Sequence, residues 1–66
     1  MQLLNAITKR GYVVKNETTN RRIAYKIRCF GKLFFLSYIY SDDGWNYEIT
    51  DKFENVLDTG IYAPVP

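Results

Sequence analysis

The residues best placed to do chemistry are cations at strand-like spacing. Arg22, Lys26 and Arg28 stand an even number of positions apart, with Ala24 between the first two. In an extended strand such residues share one face. Phe30 continues that side, and Phe35 and Ile39 fall on the same side of the next strand. Cations beside exposed aromatic and aliphatic groups suit recognition of an acidic or apolar partner, since Arg and aromatic side chains are the usual anchors of such contacts. The remaining reactive groups are sparse. Cys29 is the single cysteine and histidine is absent. That rules out Ser-His and Cys-His dyads and argues against a zinc site. Asp42-Asp43-Gly44 lacks the alternating acids of a calcium loop and reads as turn chemistry. Asp51 and Asp58 flank the last hairpin, and nothing in the sequence marks either as catalytic. The four glycines are isolated, so no phosphate-cradling loop occurs. No catalytic residue, cofactor or metal site is therefore assigned, and the chain is expected not to be an enzyme.

These side chains need a scaffold. Residues 2–10 predict a short helix, with Leu3, Leu4 and Ile7 on one stripe, Lys9 and Arg10 in the last turn and Gly11 ending it. Strands are expected at 12–15, 21–30, 33–40, 45–50 and 56–62, with a polar loop at 16–20. The tail 63–66, with two prolines in four residues, is expected to leave the ladder. Gly31-Lys32 suits a type II′ turn and Asp43-Gly44 a type I′ turn. The last hairpin is expected to place Asn55 in the left-handed region.

Those turns fix registers. They pair Ile27 with Leu36, Tyr25 with Tyr38, Arg28 with Phe35, Ala24 with Ile39, Tyr40 with Tyr47 and Tyr38 with Ile49. One apolar face then collects Ile23, Tyr25, Ile27, Cys29, Phe34, Leu36, Tyr38, Tyr40, Trp45, Tyr47, Ile49, Leu57 and Ile61. The helix should cover that face and bury Trp45. The expected fold is α+β, a single domain over residues 1–66: a short N-terminal helix packed on one face of a five-stranded antiparallel β-meander.

Size and composition agree with this layout. The chain has 66 residues, of which 47% are hydrophobic and 17% aromatic. That is too apolar for a disordered chain and too short for a second module. No apolar run approaches the roughly 20 residues of a membrane span, so no membrane partner is expected. The lone cysteine and the lack of a leader-like N-terminus suggest a cytoplasmic protein. The net charge of +2 conceals an asymmetry. Eight cations oppose one acid in residues 1–32, whereas six acids oppose one cation in residues 33–66.

The opposite sheet face has no second helix to cover it. It is expected to be a docking face with partner-binding residues Arg22, Lys26, Arg28, Phe30, Phe35 and Ile39. The first functional expectation is a small non-catalytic protein-interaction module binding a larger protein. In size and character the chain is similar to accessory proteins of phages and other mobile elements, many of which inhibit host factors. Two alternatives stand beside it. One is single-stranded nucleic-acid binding through the basic stripe with Phe30 and Phe35 as stacking platforms. The other is a homodimer closed by two such faces.

Overall fold

The computed structural model describes residues 3–64, with side-chain surroundings through Tyr62. Helix α1, Leu3–Arg10, precedes strands β1 (Tyr12–Thr19), β2 (Arg22–Cys29), β3 (Lys32–Ser41), β4 (Gly44–Thr50) and β5 (Val56–Pro64). The strands form one antiparallel sheet in the order β1-β2-β3-β4-β5. This is the expected α+β meander. Gln2 and residues 65–66, assigned to helix and tail from the sequence, lie outside the described residues.

Alternation of apolar and polar side chains selects strands here, and the face that buries its apolar set is the one α1 covers. Ile7, Leu36 and Ile49 are at most 1% exposed. Around them pack Leu4, Ile27, Cys29, Phe34 and Tyr47, with Leu3, Tyr25 and Tyr38 at the margin. Cys29 is a buried free thiol beneath the Ala6 carbonyl, with 4.0 Å from sulfur to oxygen. The helix is too short to persist alone, so its docking on β2 stabilises it. Gly11 closes α1 by donating its N–H to the Ile7 carbonyl at 3.0 Å. It is not needed for a left-handed cap. A Cβ at Gly11 would lie 2.5 Å from the Ile7 carbonyl oxygen and 2.6 Å from Ile27 Cγ2. The residue is thus required for close approach of helix and strand.

Both central turns differ from the sequence expectation. The β2–β3 turn is centred on Phe30-Gly31, with Cys29 opposite Lys32 and φ of 53° and 73° at the two turn residues. Positive φ at both positions is the type I′ pattern, not type II′. The β3–β4 turn is centred on Asp42-Asp43, with Ser41 opposite Gly44. Gly44 follows the turn at φ 109°, where glycine carries no Cβ penalty. Each change slides a strand pairing by two residues. Because strand side chains repeat every two, the assignment of side chains to faces survives.

The outer strands depart further. β1 extends through Thr19, so residues expected in a loop are laddered against β2, with a bulge between Val13 and Lys15. In the last hairpin Glu54, not Asn55, takes the left-handed conformation, at φ 67°. The Asp51 carboxylate organises the loop by accepting from the Phe53 and Asn55 backbone N–H groups and the Asn55 side-chain amide, at 2.8, 3.0 and 3.0 Å. The resulting register pairs Ile49 with Asp58 and Tyr47 with Gly60. Asp58 and Gly60 therefore share the helix face, while Leu57 and Ile61 are on the other side and exposed. Their expected place in the core is overturned. Tyr47 fills the space above Gly60 and donates its hydroxyl to Asp58 at 3.2 Å. The ladder also continues through Ala63 and Pro64, contrary to the expected tail. Pro64 is tolerated because β5 is an edge strand.

Candidate functional site on the uncovered sheet face

Cross-strand registers set out this face row by row. Thr19, Arg22, Ile39, Asn46 and Ile61 form one row, and Glu17, Ala24, Ser37, Glu48 and Thr59 the next. A third row runs from Lys15 through Lys26 and Phe35 to Thr50. Arg28 and Leu33 follow as a direct pair. Arg22, Lys26, Arg28, Phe35 and Ile39 thus share a face that no described helix covers. The corrected turn changes their neighbours. Phe35 stands opposite Lys26 rather than Arg28, and Ile39 opposite Arg22 rather than Ala24. Phe30 departs from the set. It occupies the hairpin tip and is 66% exposed. The sequence reading favoured Gly-Lys as the turn pair, because a bulky residue in the left-handed region is unusual.

Small side chains open a shallow depression in the middle. Ala24 and Ser37, directly paired, form its floor, and Arg22, Lys26, Lys15 and Glu17 stand around it. Ser37 is only 5% exposed, and the Arg22 guanidinium donates to its hydroxyl at 2.9 Å. The Lys26 ammonium lies 5.7 Å from the centroid of Phe35. Arg22 therefore lays its guanidinium on the Ser37 side of the floor, whereas Lys26 leans toward the Phe35 ring in the next row. Lys15 and Glu17 form an exposed ion pair at 2.7 Å. Their bond raises the Lys15 pKa and, with a contribution from Lys26, lowers that of Glu17. Such a pair adds little stability in water, but it reduces the free charge on the β1 side. Asn46 is held by donation to Ser41 Oγ at 2.9 Å. On either side of it in the row, Ile39 and Ile61 are exposed.

The meander places the halves of the sequence side by side. The cationic half supplies α1, β1 and β2, and the acidic half supplies most of β3 and all of β4 and β5. The charge asymmetry along the chain is consequently an asymmetry across the sheet. Among the described residues in these rows, the cations Lys15, Arg22, Lys26 and Arg28 stand against the acids Glu17 and Glu48.

A second group was assigned to the core from sequence. Tyr40 and Trp45 are paired at the far end of the helix face, with ring centroids 5.2 Å apart and Arg21 6.0 Å from Tyr40. Tyr40 is exposed and Trp45 only half-buried, so the expected burial of Trp45 under the helix is corrected. Tyr38 meets Tyr25 edge-on and Tyr62 at 4.5 Å. Burial and the neighbouring Tyr62 and Tyr25 hydroxyls push the Tyr38 pKa up. Helix length was the signal for this outcome. Eight residues extend about 12 Å, against roughly 33 Å for the ten residues of β3.

Among the described residues no group of three or more His, Cys, Asp or Glu side chains is placed to hold a metal ion. No described helix is long and apolar enough to cross a membrane. The fold and face define a small α+β domain with one covered and one uncovered sheet surface. No family model, curated protein or solved structure matches the chain.

Proposed function

We propose that the protein is a non-catalytic interaction module that docks an acidic, partly apolar surface of a larger protein on its uncovered sheet face. The carrying observation is the row arrangement there: Arg22, Lys26 and Arg28 line β2 directly beside Leu33, Phe35 and Ile39 of β3. Cations at the rim of an apolar centre are the pattern that gives both steering and anchoring. The Arg22 guanidinium on Ser37 and the Lys26 ammonium near Phe35 stand on either side of the Ala24–Ser37 pair, and a carboxylate is the group their charges favour. Such a module fits an accessory protein that modulates a host factor in the cytoplasm.

Single-stranded nucleic-acid binding is less well supported. Lys26 occupies the ring of Phe35 on which a base would stack, and Phe30 stands apart at a hairpin tip. Homodimerisation would bring the same cations against one another unless the copies were offset.

A photo-reactive residue at Ile39, compared with one at the exposed helix position Asn5, tests the reading in the native host. Crosslinks to one protein from Ile39 alone support it. Crosslinks to nucleic acid, or to a second copy only, would replace it with the corresponding alternative.

A further inference from the structure

The chain entry into β1, the β2–β3 turn and the β4–β5 loop all lie at one end of the meander. Two phenylalanines are the most exposed large apolar residues of the described chain, and both are at this end. Phe30 in the turn is 66% exposed and Phe53 in the loop is 73% exposed. The two tips are separated by two strand spacings, about 10 Å. Arg28, Lys32 and Lys52 line a depression between them together with Leu33 and Leu57. Lys9 and Arg10, exposed at the end of α1, join the same end. Asp51 and Glu54 are the acids there, and Asp51 is committed to its loop hydrogen bonds. Five cations thus face two acids. The opposite end carries two cations, Arg21 and Arg22, and two acids, Asp42 and Asp43.

Local conformation makes Phe30 anomalous. A type I′ turn favours Asn, Asp or Gly at both central positions. Phe30 holds φ 53° without burying its ring. A conformational cost carried by a residue that contributes nothing to the core points to a role outside the fold.

From these features we infer that this end of the protein is a peripheral contact for an anionic lipid surface, with Phe30 and Phe53 entering the interface and the surrounding cations meeting acidic headgroups. Separate apolar tips suit a planar, yielding surface better than a single protein pocket. Apolar insertion and basic charge are also the two signals that interfacial binding combines. The contact needs no spanning helix. It borders the proposed protein-docking face at Arg28 and Leu33, but Phe30, Lys32, Lys52 and Phe53 lie outside that face, so variants at these four residues test it separately.

The test is co-sedimentation with vesicles of phosphatidylcholine containing about one-third phosphatidylserine, against vesicles of phosphatidylcholine alone. The wild-type protein should bind only the anionic vesicles and should release as salt rises. Phe30→Asn installs the residue the turn prefers, so it should keep or raise the thermal midpoint while weakening vesicle binding by about fivefold or more. Phe53→Ser should weaken it similarly, and Lys32→Glu with Lys52→Glu should abolish it. The inference is overturned by absence of wild-type binding, by equal binding to neutral vesicles, or by unchanged binding in both phenylalanine variants. Binding of single-stranded oligothymidylate that is lost in those variants, with no vesicle binding, would also overturn it and reassign the tips to base stacking.

Discussion

Lys26 and Phe35 are directly opposed across β2 and β3, with the ammonium 5.7 Å from the ring centroid. The pair unites the two chemistries of the uncovered face in one contact. The charge is held at the rim by the ring, and the ring is partly shielded from water by the lysine stem. A partner bringing a carboxylate would draw Lys26 outward and expose Phe35 as an anchor.

Gly11 should tolerate no side chain. Its Cβ would meet the Ile7 carbonyl oxygen and Ile27 Cγ2 inside contact distance. Gly11→Ala is expected to cost ~1 to 3 kcal/mol by forcing the helix end away from β2. Chemical denaturation of the variant checks this, and an unchanged midpoint would disprove the close approach.

Gly44→Val should also destabilise, by ~1 to 3 kcal/mol, because φ 109° is strained for a β-branched residue. The position matters as the first residue of β4, not as the second residue of a turn. Asp43→Gly should accordingly be far milder when the two variants are compared by thermal melting.

Hydrogen bonds from Asn55 hold the Asp51 carboxyl below its ordinary pKa of 3.8, with Phe53 and Lys52 adding to the effect. A depressed folded-state value means that the carboxylate favours the fold above the unfolded pKa. That contribution is lost as pH falls through the lower folded value. Asp51→Ala should have a lower thermal midpoint than wild type at pH 7. The gap should narrow below about pH 4, where the unfolded aspartate protonates. A pH-independent gap would mean the loop is held by something other than the ionised carboxylate.

How much of this was legible in the sequence depends on parity. Ile27, Leu36 and Ile49 were placed in the core correctly although both central turns were misplaced, because an error of two residues preserves side-chain faces. Leu57 and Ile61 were misplaced because the left-handed residue is Glu54 instead of Asn55, and that single-residue difference turns β5 over. Phe30 was drawn into the basic face because glycine followed by lysine satisfies a turn rule locally. The Phe-Gly turn instead keeps Cys29 paired and buried under α1. The line of Arg22, Lys26 and Arg28 was readable from period-2 alternation alone. The Arg22–Ser37 bond and the Ala24–Ser37 floor were not, since they depend on the register between strands. Tyr40 and Trp45 carried no local sign of exposure; only the length of α1 relative to β3 reveals it.

The docking face is tested most directly by Phe35→Ser, measured for both thermal midpoint and affinity for the protein crosslinked from Ile39. Phe35 is half-buried on the face opposite the main core. Its loss should therefore lower stability by only ~1 to 2 kcal/mol from removed apolar area, leaving the domain folded. Affinity should fall by ~2 kcal/mol or more, as for an interface anchor. A folded variant that binds like wild type, or a variant that no longer folds, would contradict the assignment of this face to partner docking.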